Sequence, residues 1–258
     1  SEMCIRDRLA PVWSIDEDTD REVAESAGIP AETWAQNLRP RGMTCSPHSS
    51  LMRAASHASA WSYHDGAPGI FLSEHFRCHP EIIGYCNDLL YNGLLEPKRP
   101  ASSSPVEGPA FLFREVPGSQ DERSGSSRVN RTEAQCVARW IVANYAYFRD
   151  LYTTREPDSN RAPGEDELIG VVTPFSAQAR LITRELRAAA TAEDAPADLP
   201  SRFAESITVG TAHRLQGAER PVVLFSAVYG QNSPRSGFID SNLELMNVAV
   251  SRAKDLFI

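Results

Sequence analysis

The last third of the chain constrains its fold most. Two short runs, residues 222–225 (VVLF) and 255–258 (DLFI), have the length and apolar character of buried parallel strands. Residues 243–253, just before the second run, read as a helix. Each run is flanked by polar residues that a plain core does not need. Thr211, Gln216, Gly217 and Glu219 precede the first, and Asn247, Ser251, Arg252 and Lys254 surround the start of the second. Polar groups collected at strand ends mark the places where open α/β sheets bind ligands.

The segments upstream fit the same architecture. Residues 168–172 (LIGVV) form an apolar run suited to a central parallel strand, and residues 207–209 suggest another. A helix over residues 177–190 follows the first, with Leu181, Ile182 and Leu186 turned inward. Ala134, Val137, Ala138, Ile141, Val142, Tyr145 and Phe148 make a long apolar stripe, capped by Thr132 or Asn130. Ile82, Ile83, Cys86, Leu89 and Leu90 mark a further helix, with Pro80 in its first turn and Gly93 at its end. Residues 70–72 and 110–116 read as strands, and residues 118–130 as a polar loop. Nearer the start, residues 22–27 suggest a short helix capped by Asp18 or Thr19, and Leu51–Ala58 one capped by Ser49 or Ser50. Alternating strands and helices at these spacings suit βαβ units and a mostly parallel sheet flanked by helices.

A formal net charge of -8 argues against a protein that coats nucleic acid along its whole surface, but leaves room for a basic groove. The five cysteines, at 4, 45, 78, 86 and 136, include no CxxC pair, which indicates neither a zinc site nor a disulfide framework and points to reduced, cytoplasmic thiols. No signal peptide and no apolar run of membrane-spanning length is visible, so no membrane partner is expected.

Four segments resemble motifs of superfamily 1 helicases, specifically the Upf1-like branch. They are FRCHPEI (76–82), TPFSAQ (173–178), TAHRLQGAE (211–219) and NVAVSRAK (247–254), and they occur in the family's order. Phe76 and Phe175 stand where the family mostly has tyrosine, Leu215 where it has phenylalanine, and Pro221 where it has aspartate. The resemblance implies a RecA-like P-loop NTPase fold, with residues 69–258 forming the second of two motor domains. It implies that Arg77 and Arg252 contact the γ-phosphate of ATP, Arg252 as an arginine finger. It implies that Gln216, Gly217 and Glu219 sense the nucleotide, and that Thr173, Gln178 and Thr211 lie near a nucleic-acid backbone. A salt bridge is the plainer reading of Arg77, core packing is as good a reading of Phe175 as base stacking, and His79 reads as a structural hydrogen-bonding residue. Asn130 and Glu133 match an Asn-x-x-Glu feature of the family, for which helix capping is the plain reading.

Residues 1–8 fit nothing that follows and read as a non-native scar. Residues 9–15 resemble the end of a family motif, so residues 9–68 are expected to be the truncated tail of a first motor domain, and the chain is expected to stop short at residue 258 as well. No GxxxxGK[ST] phosphate loop and no accompanying acidic box occurs in the chain. The expectation is therefore part of an ATP-dependent helicase or translocase on single-stranded DNA, or RNA, inactive alone. ATP and Mg2+ would be held mainly by a first motor domain outside this chain, with no metal ligands in it. The alternative is a degenerate helicase-like domain serving as a noncatalytic nucleic-acid-binding or scaffold module.

Overall fold

The computed structural model describes residues 15–45, 49–63, 67–153, 163–212, 214–215, 217–233 and 237–258. The readings placed on residues 1–14, on Gln216 and on most of the acidic insertion at 151–167 lie outside the described residues. The chain divides into two compact units, one through Ser73 and one from Glu74 to Ile258.

The first unit begins with α1 (Glu17–Ser26), which starts five residues earlier than the sequence suggested. The carboxylate of Asp16, not Asp18 or Thr19, accepts the Thr19 amide at 2.8 Å and so caps the helix. Asp20 is buried and takes the Trp34 indole N–H at 2.9 Å and the Cys45 amide at 3.1 Å. α2 (Leu51–Ala58) has the expected bounds, and Ser50 is its cap, accepting from the Arg53 amide. Residues 70–72 are not a strand. Ile70 is 64% and Leu72 45% exposed, and no described strand pairs with them. Apolar composition alone does not make sheet; a strand also needs a ladder that takes up its backbone groups.

The second unit runs α3 (Pro80–Cys86), β1 (Glu122–Ser124), β2 (Ser127–Val129), α4 (Arg131–Thr153), β3 (Ile169–Val172), α5 (Ser176–Ala190), β4 (Thr208–Gly210), β5 (Arg220–Phe225), α6 (Leu243–Val250) and β6 (Ala253–Phe257). Strands β3 to β6 form one sheet, all parallel, in the order β6-β5-β3-β4. Period-2 alternation sends Ile169, Val171, Val222 and Leu224 into a core shared with Ala138, Ile141 and Tyr145 of α4 and Ile182 and Leu186 of α5. Burying each large aliphatic of this kind contributes about 1.5–3 kcal/mol. Val172, Val223 and Phe257 point to the opposite face, where α3 and α6 pack on each other and on β6.

Several sequence readings are adjusted by local chemistry. Asn130 caps α4, its Oδ1 accepting the Glu133 amide at 3.0 Å. α3 runs on as a wider π-turn over Asn87–Tyr91, and Asn92 adopts the left-handed conformation before Gly93 does. α6 stops at Val250, so Ser251 and Arg252 lie in the turn into β6 rather than on the helix. The 110–116 strand reduces to one bridge, in which Phe111 pairs with Phe257 beside the outer edge of β6. Residues 118–130 hold the β1–β2 hairpin, turning at Gly125 with φ 62°.

One connection matters most for function. Residues 211–219 carry the chain from the carboxyl end of β4, across β3, to the amino end of β5. Leu215 in this segment lies close to the sheet: a Cβ on Gly170 of β3 would stand 3.4 Å from Leu215 Cδ2 and 3.1 Å from Arg220 Cγ. Leu215, where the resembled family has phenylalanine, is buried in this crossing.

Candidate functional site

At the amino end of β5 and β6 the structure gathers charge. Arg77, in the turn before α3, sets its Nε 2.8 Å from Glu219 Oε2, and Lys254 Nζ lies 3.7 Å from the other oxygen of that carboxylate. The side chains of Arg77, Lys254 and Glu219 are 24%, 36% and 46% exposed, so this ion cluster meets solvent. Pairs in such surroundings contribute ~0–1 kcal/mol, and an incoming anion can displace one partner at small cost. Arg252 differs. It is only 3% exposed, and its guanidinium donates to Val248 O at 3.1 Å, Ala218 O at 3.3 Å and Ser251 Oγ at 3.1 Å. Gly217, at φ 87°, makes the left-handed turn that presents the Ala218 carbonyl to it.

Two residues missed by sequence reasoning hold this end together. Arg99 donates to the carbonyls of Arg77 and Lys254, at 2.9 and 2.6 Å, and pairs with Asp255. Asp255 also accepts the Tyr152 hydroxyl at 2.7 Å. The signal was present: an aspartate inside a buried strand demands a partner. His79 has the structural role expected, its Nδ1 accepting the Glu81 amide while its own amide donates to Lys254 O at 2.7 Å.

The carboxyl end of β3 and β5 holds a buried hydrogen-bonded network. Thr173 and Gln178 have no exposed surface. Gln178 Oε1 accepts the Asn130 amide at 2.8 Å, and its Nε2 donates to Asn130 O and Ser226 Oγ, both at 3.1 Å. Asn130 Nδ2 in turn donates to Val228 O at 3.0 Å. Val228 has φ 75°, an outlying conformation for a β-branched residue, and this network clamps it. Burial pushes the Glu133 carboxyl above its usual range, against the donation it receives from the Val228 amide, the Ser226 hydroxyl and the Ala227 amide. Asn130 and Glu133 thus do more than cap a helix: they hold the exit of β5. Thr211 is half-buried where β4 ends.

Beside this network lie three rings. Phe175 meets Tyr229 edge-on and Phe238 at a tilt, each with centroids 5.8 Å apart. Arg128 stands over the Tyr229 ring at 5.6 Å. The loop bearing Tyr229 is pinned to the hairpin, because a Cβ on Gly230 would come within 2.6 Å of Gln120 Cα and Ser119 O. Burial opposes ionisation of Asp121, yet the Ser233 hydroxyl, the Arg128 guanidinium and the Gly230 amide hold its carboxyl below the usual range.

The residues singled out by sequence therefore form two groups. Arg77, Gly217, Glu219 and Arg252 sit at the amino ends of the strands, and Thr173, Gln178 and Thr211 at the carboxyl ends, roughly 17 Å away along a six-residue strand. Residues 211–219 join them. Among the described residues no His, Cys, Asp and Glu are grouped to hold a metal ion, and no helix is long and apolar enough to cross a membrane.

A four-stranded parallel sheet with helices on both faces and polar motifs at both strand ends defines a RecA-like α/β motor domain. A family model described as an AAA domain matches residues 48–258. The chain belongs to that family, as a superfamily 1 helicase domain consistent with the Upf1-like branch across most of its length. It is 30% identical over 197 residues to the mouse (Mus musculus) 5'-3' DNA helicase ZGRF1, covering 73% of this chain and 9% of that protein. It is 28% identical over 194 residues to the Drosophila melanogaster regulator of nonsense transcripts 1 homolog, covering 71% and 14%. With the Arabidopsis thaliana probable helicase MAGATAMA 3 it shares 25% over 200 residues, covering 73% and 22%. The chain thus spans from 9% to 22% of the length of these curated relatives.

Proposed function

We propose that this chain is the arginine-supplying half of an ATP-driven translocase on single-stranded nucleic acid, DNA in preference to RNA. Residues 9–68 would be the end of the first motor domain and residues 69–258 the second, working in the cytoplasm. The observation that carries the reading is the nine-residue crossing 211–219, which ties the charged amino end of the sheet to the hydrogen-bonded carboxyl end. A displacement of Glu219 or Gly217 at one end then reaches Thr211 at the other through a short segment whose Leu215 packs against Gly170 of β3. The preference for DNA follows the mouse relative, a DNA helicase by name, and the family resemblance.

ATP, when bound with Mg2+, supplies the transferable phosphoryl group. The residues present fit its anionic end. Arg77 is partly exposed, and its partner Glu219 is shared with Lys254, so exchanging the carboxylate for a phosphate leaves no charge stranded. Arg252 neutralises the charge that develops during transfer, a role worth ~10³–10⁵ in rate in comparable enzymes. A planar guanidinium suits it because it holds two phosphate oxygens at once. Gln216, with Glu219 and Gly217, senses the nucleotide. Thr211 lines the nucleic-acid side, while Thr173 and Gln178 hold the backbone around that track in place.

One observation favours a second reading. The Arg252 guanidinium donates to three oxygens of its own chain, as a residue kept only for structure would, and a noncatalytic nucleic-acid-binding module accounts for that. The test is ATPase activity, with and without single-stranded DNA, of a protein carrying this chain together with a phosphate-loop domain, beside its Arg252→Ala variant. DNA-stimulated turnover that falls at least ~10³-fold in the variant supports the translocase. Nucleic-acid binding without turnover in the parent supports the binding module. Efficient hydrolysis by this chain alone contradicts both.

A further inference from the structure

Away from the motif residues, the β1–β2 hairpin and α5 enclose a groove of ≈ 370 Å³. Its walls carry Arg131, Arg180 and Arg184 over an apolar floor of Val129, Ala177 and Leu181. Among the described residues no carboxylate lines it, in a chain whose net charge is -8. All three arginines are exposed. Arg184 has a neighbour in Glu185, 2.9 Å away, and the register of the hairpin sets Glu122 opposite Val129, so local acidity is present but outside the lining.

We infer that this groove binds the phosphates of a single strand of nucleic acid, extending the track beyond the helicase motifs. Arg180 and Arg184 are one turn apart on α5, about 6 Å along its axis and on one side. Two guanidinium groups in file match a chain that presents its negative charges in file. A small anion needs only one of them. Ala177 in the floor is two residues past Phe175, whose ring joins Tyr229 and Phe238. Phe238 is 47% exposed, so the ring cluster that starts two residues before the groove's Ala177 offers a stackable surface. Arginine grooves beside exposed rings are how single strands are held without sequence preference, phosphates on the cations and bases on the rings. The hairpin is rigid enough to wall such a groove. The Ser127 hydroxyl accepts the Ala177 amide at 3.3 Å, and Asp121 and Asn232 lock its base to the Tyr229 loop through bonds of 2.8 and 2.9 Å.

The choice of occupant rests on the translocase reading. The groove itself is tested by binding of fluorescein-labelled oligothymidylate to the 258-residue chain across a salt series. Arg180→Ala with Arg184→Ala weakens binding at low salt by roughly tenfold and reduces the slope of log K against log salt by about 1.4, at ~0.7 for each phosphate that is no longer neutralised. Arg180→Lys with Arg184→Lys keeps most of the slope, since it keeps the charge. An unchanged slope in the alanine variant of a chain that binds oligothymidylate overturns the groove and leaves the translocase reading standing. Competition by polyglutamate as strong as by unlabelled oligothymidylate overturns the nucleic-acid occupant in favour of an acidic peptide. No binding of oligothymidylate by the parent chain contradicts the groove and the nucleic-acid side of the translocase reading together, whereas DNA-stimulated ATPase of the larger protein tests the latter alone.

Discussion

The two ends of the parallel sheet use polar residues in opposite ways. At the amino end, Arg77, Glu219 and Lys254 form an ion cluster that solvent reaches. At the carboxyl end, Thr173, Gln178 and Asn130 have no exposed surface, and the Gln178 amide is bonded at both its oxygen and its nitrogen. Exposed ion pairs are weak and exchangeable, whereas buried amides are costly to uncouple. The first arrangement suits a surface whose partners change through a cycle, and the second suits a frame. Arg252 combines the two, a residue of the exchangeable end held in the manner of the frame.

That contrast can be broken or sharpened by substitution. The largest stability effect is expected beneath the amino end, where Arg99 meets the buried Asp255. Arg99→Ala leaves that carboxylate with the Tyr152 hydroxyl and no cation from Arg99, and should cost about 3–5 kcal/mol in urea unfolding. A loss below about 1 kcal/mol would mean the charged end does not depend on this brace. Next is Gln178→Ala in the frame, which strands the buried Asn130 amide, while the Asn130 carbonyl keeps the Ala134 amide, and should cost about 1–3 kcal/mol by the same measurement. Were it neutral, the carboxyl end would be as adaptable as the other.

The smallest effect concerns pH. Glu133 has a folded pKa above its unfolded value, so the folded state binds its proton more tightly. Its contribution is fully present below the unfolded pKa, near 4.5, and is lost as pH rises through the raised folded value. Glu133→Gln should remove that slope, so the parent-minus-variant difference in unfolding free energy declines as pH is raised from about 4 to about 7. A flat difference would show that burial at the carboxyl end does not strain this carboxyl.

Much of this was legible in the sequence, and the parts that were not share a physical cause. The four sheet strands and the helices around them followed from apolar runs and stripes, because burial in a parallel sheet leaves an uninterrupted signal. The β1–β2 hairpin did not, since residues 122–129 (ERSGSSRV) have no apolar alternation and only the Gly125 turn marks them. The 70–72 strand failed for the converse reason, hydrophobicity in a segment that enters no described strand ladder. For the site, the resemblance to family motifs picked out Arg77, Glu219 and Arg252, and the fold brings them together across 174 residues of sequence between Arg77 and Ser251. What spacing could not convey was that Thr173 and Gln178 are enclosed, or that Asn130 and Glu133 clamp Val228. Those facts depend on which backbone groups β5 leaves exposed as it ends.

The central claim is that the amino end does chemistry while the carboxyl end keeps shape. It is tested most directly by Arg77→Ala in a protein that joins this chain to a phosphate-loop domain, measuring DNA-stimulated ATPase and thermal melting on the same samples. The claim predicts a fall in kcat of at least ~10³-fold, with stability changed by less than about 1 kcal/mol because the Arg77–Glu219 pair is partly exposed. Parental turnover in the variant, or activity lost only in step with a lowered melting temperature, would contradict it.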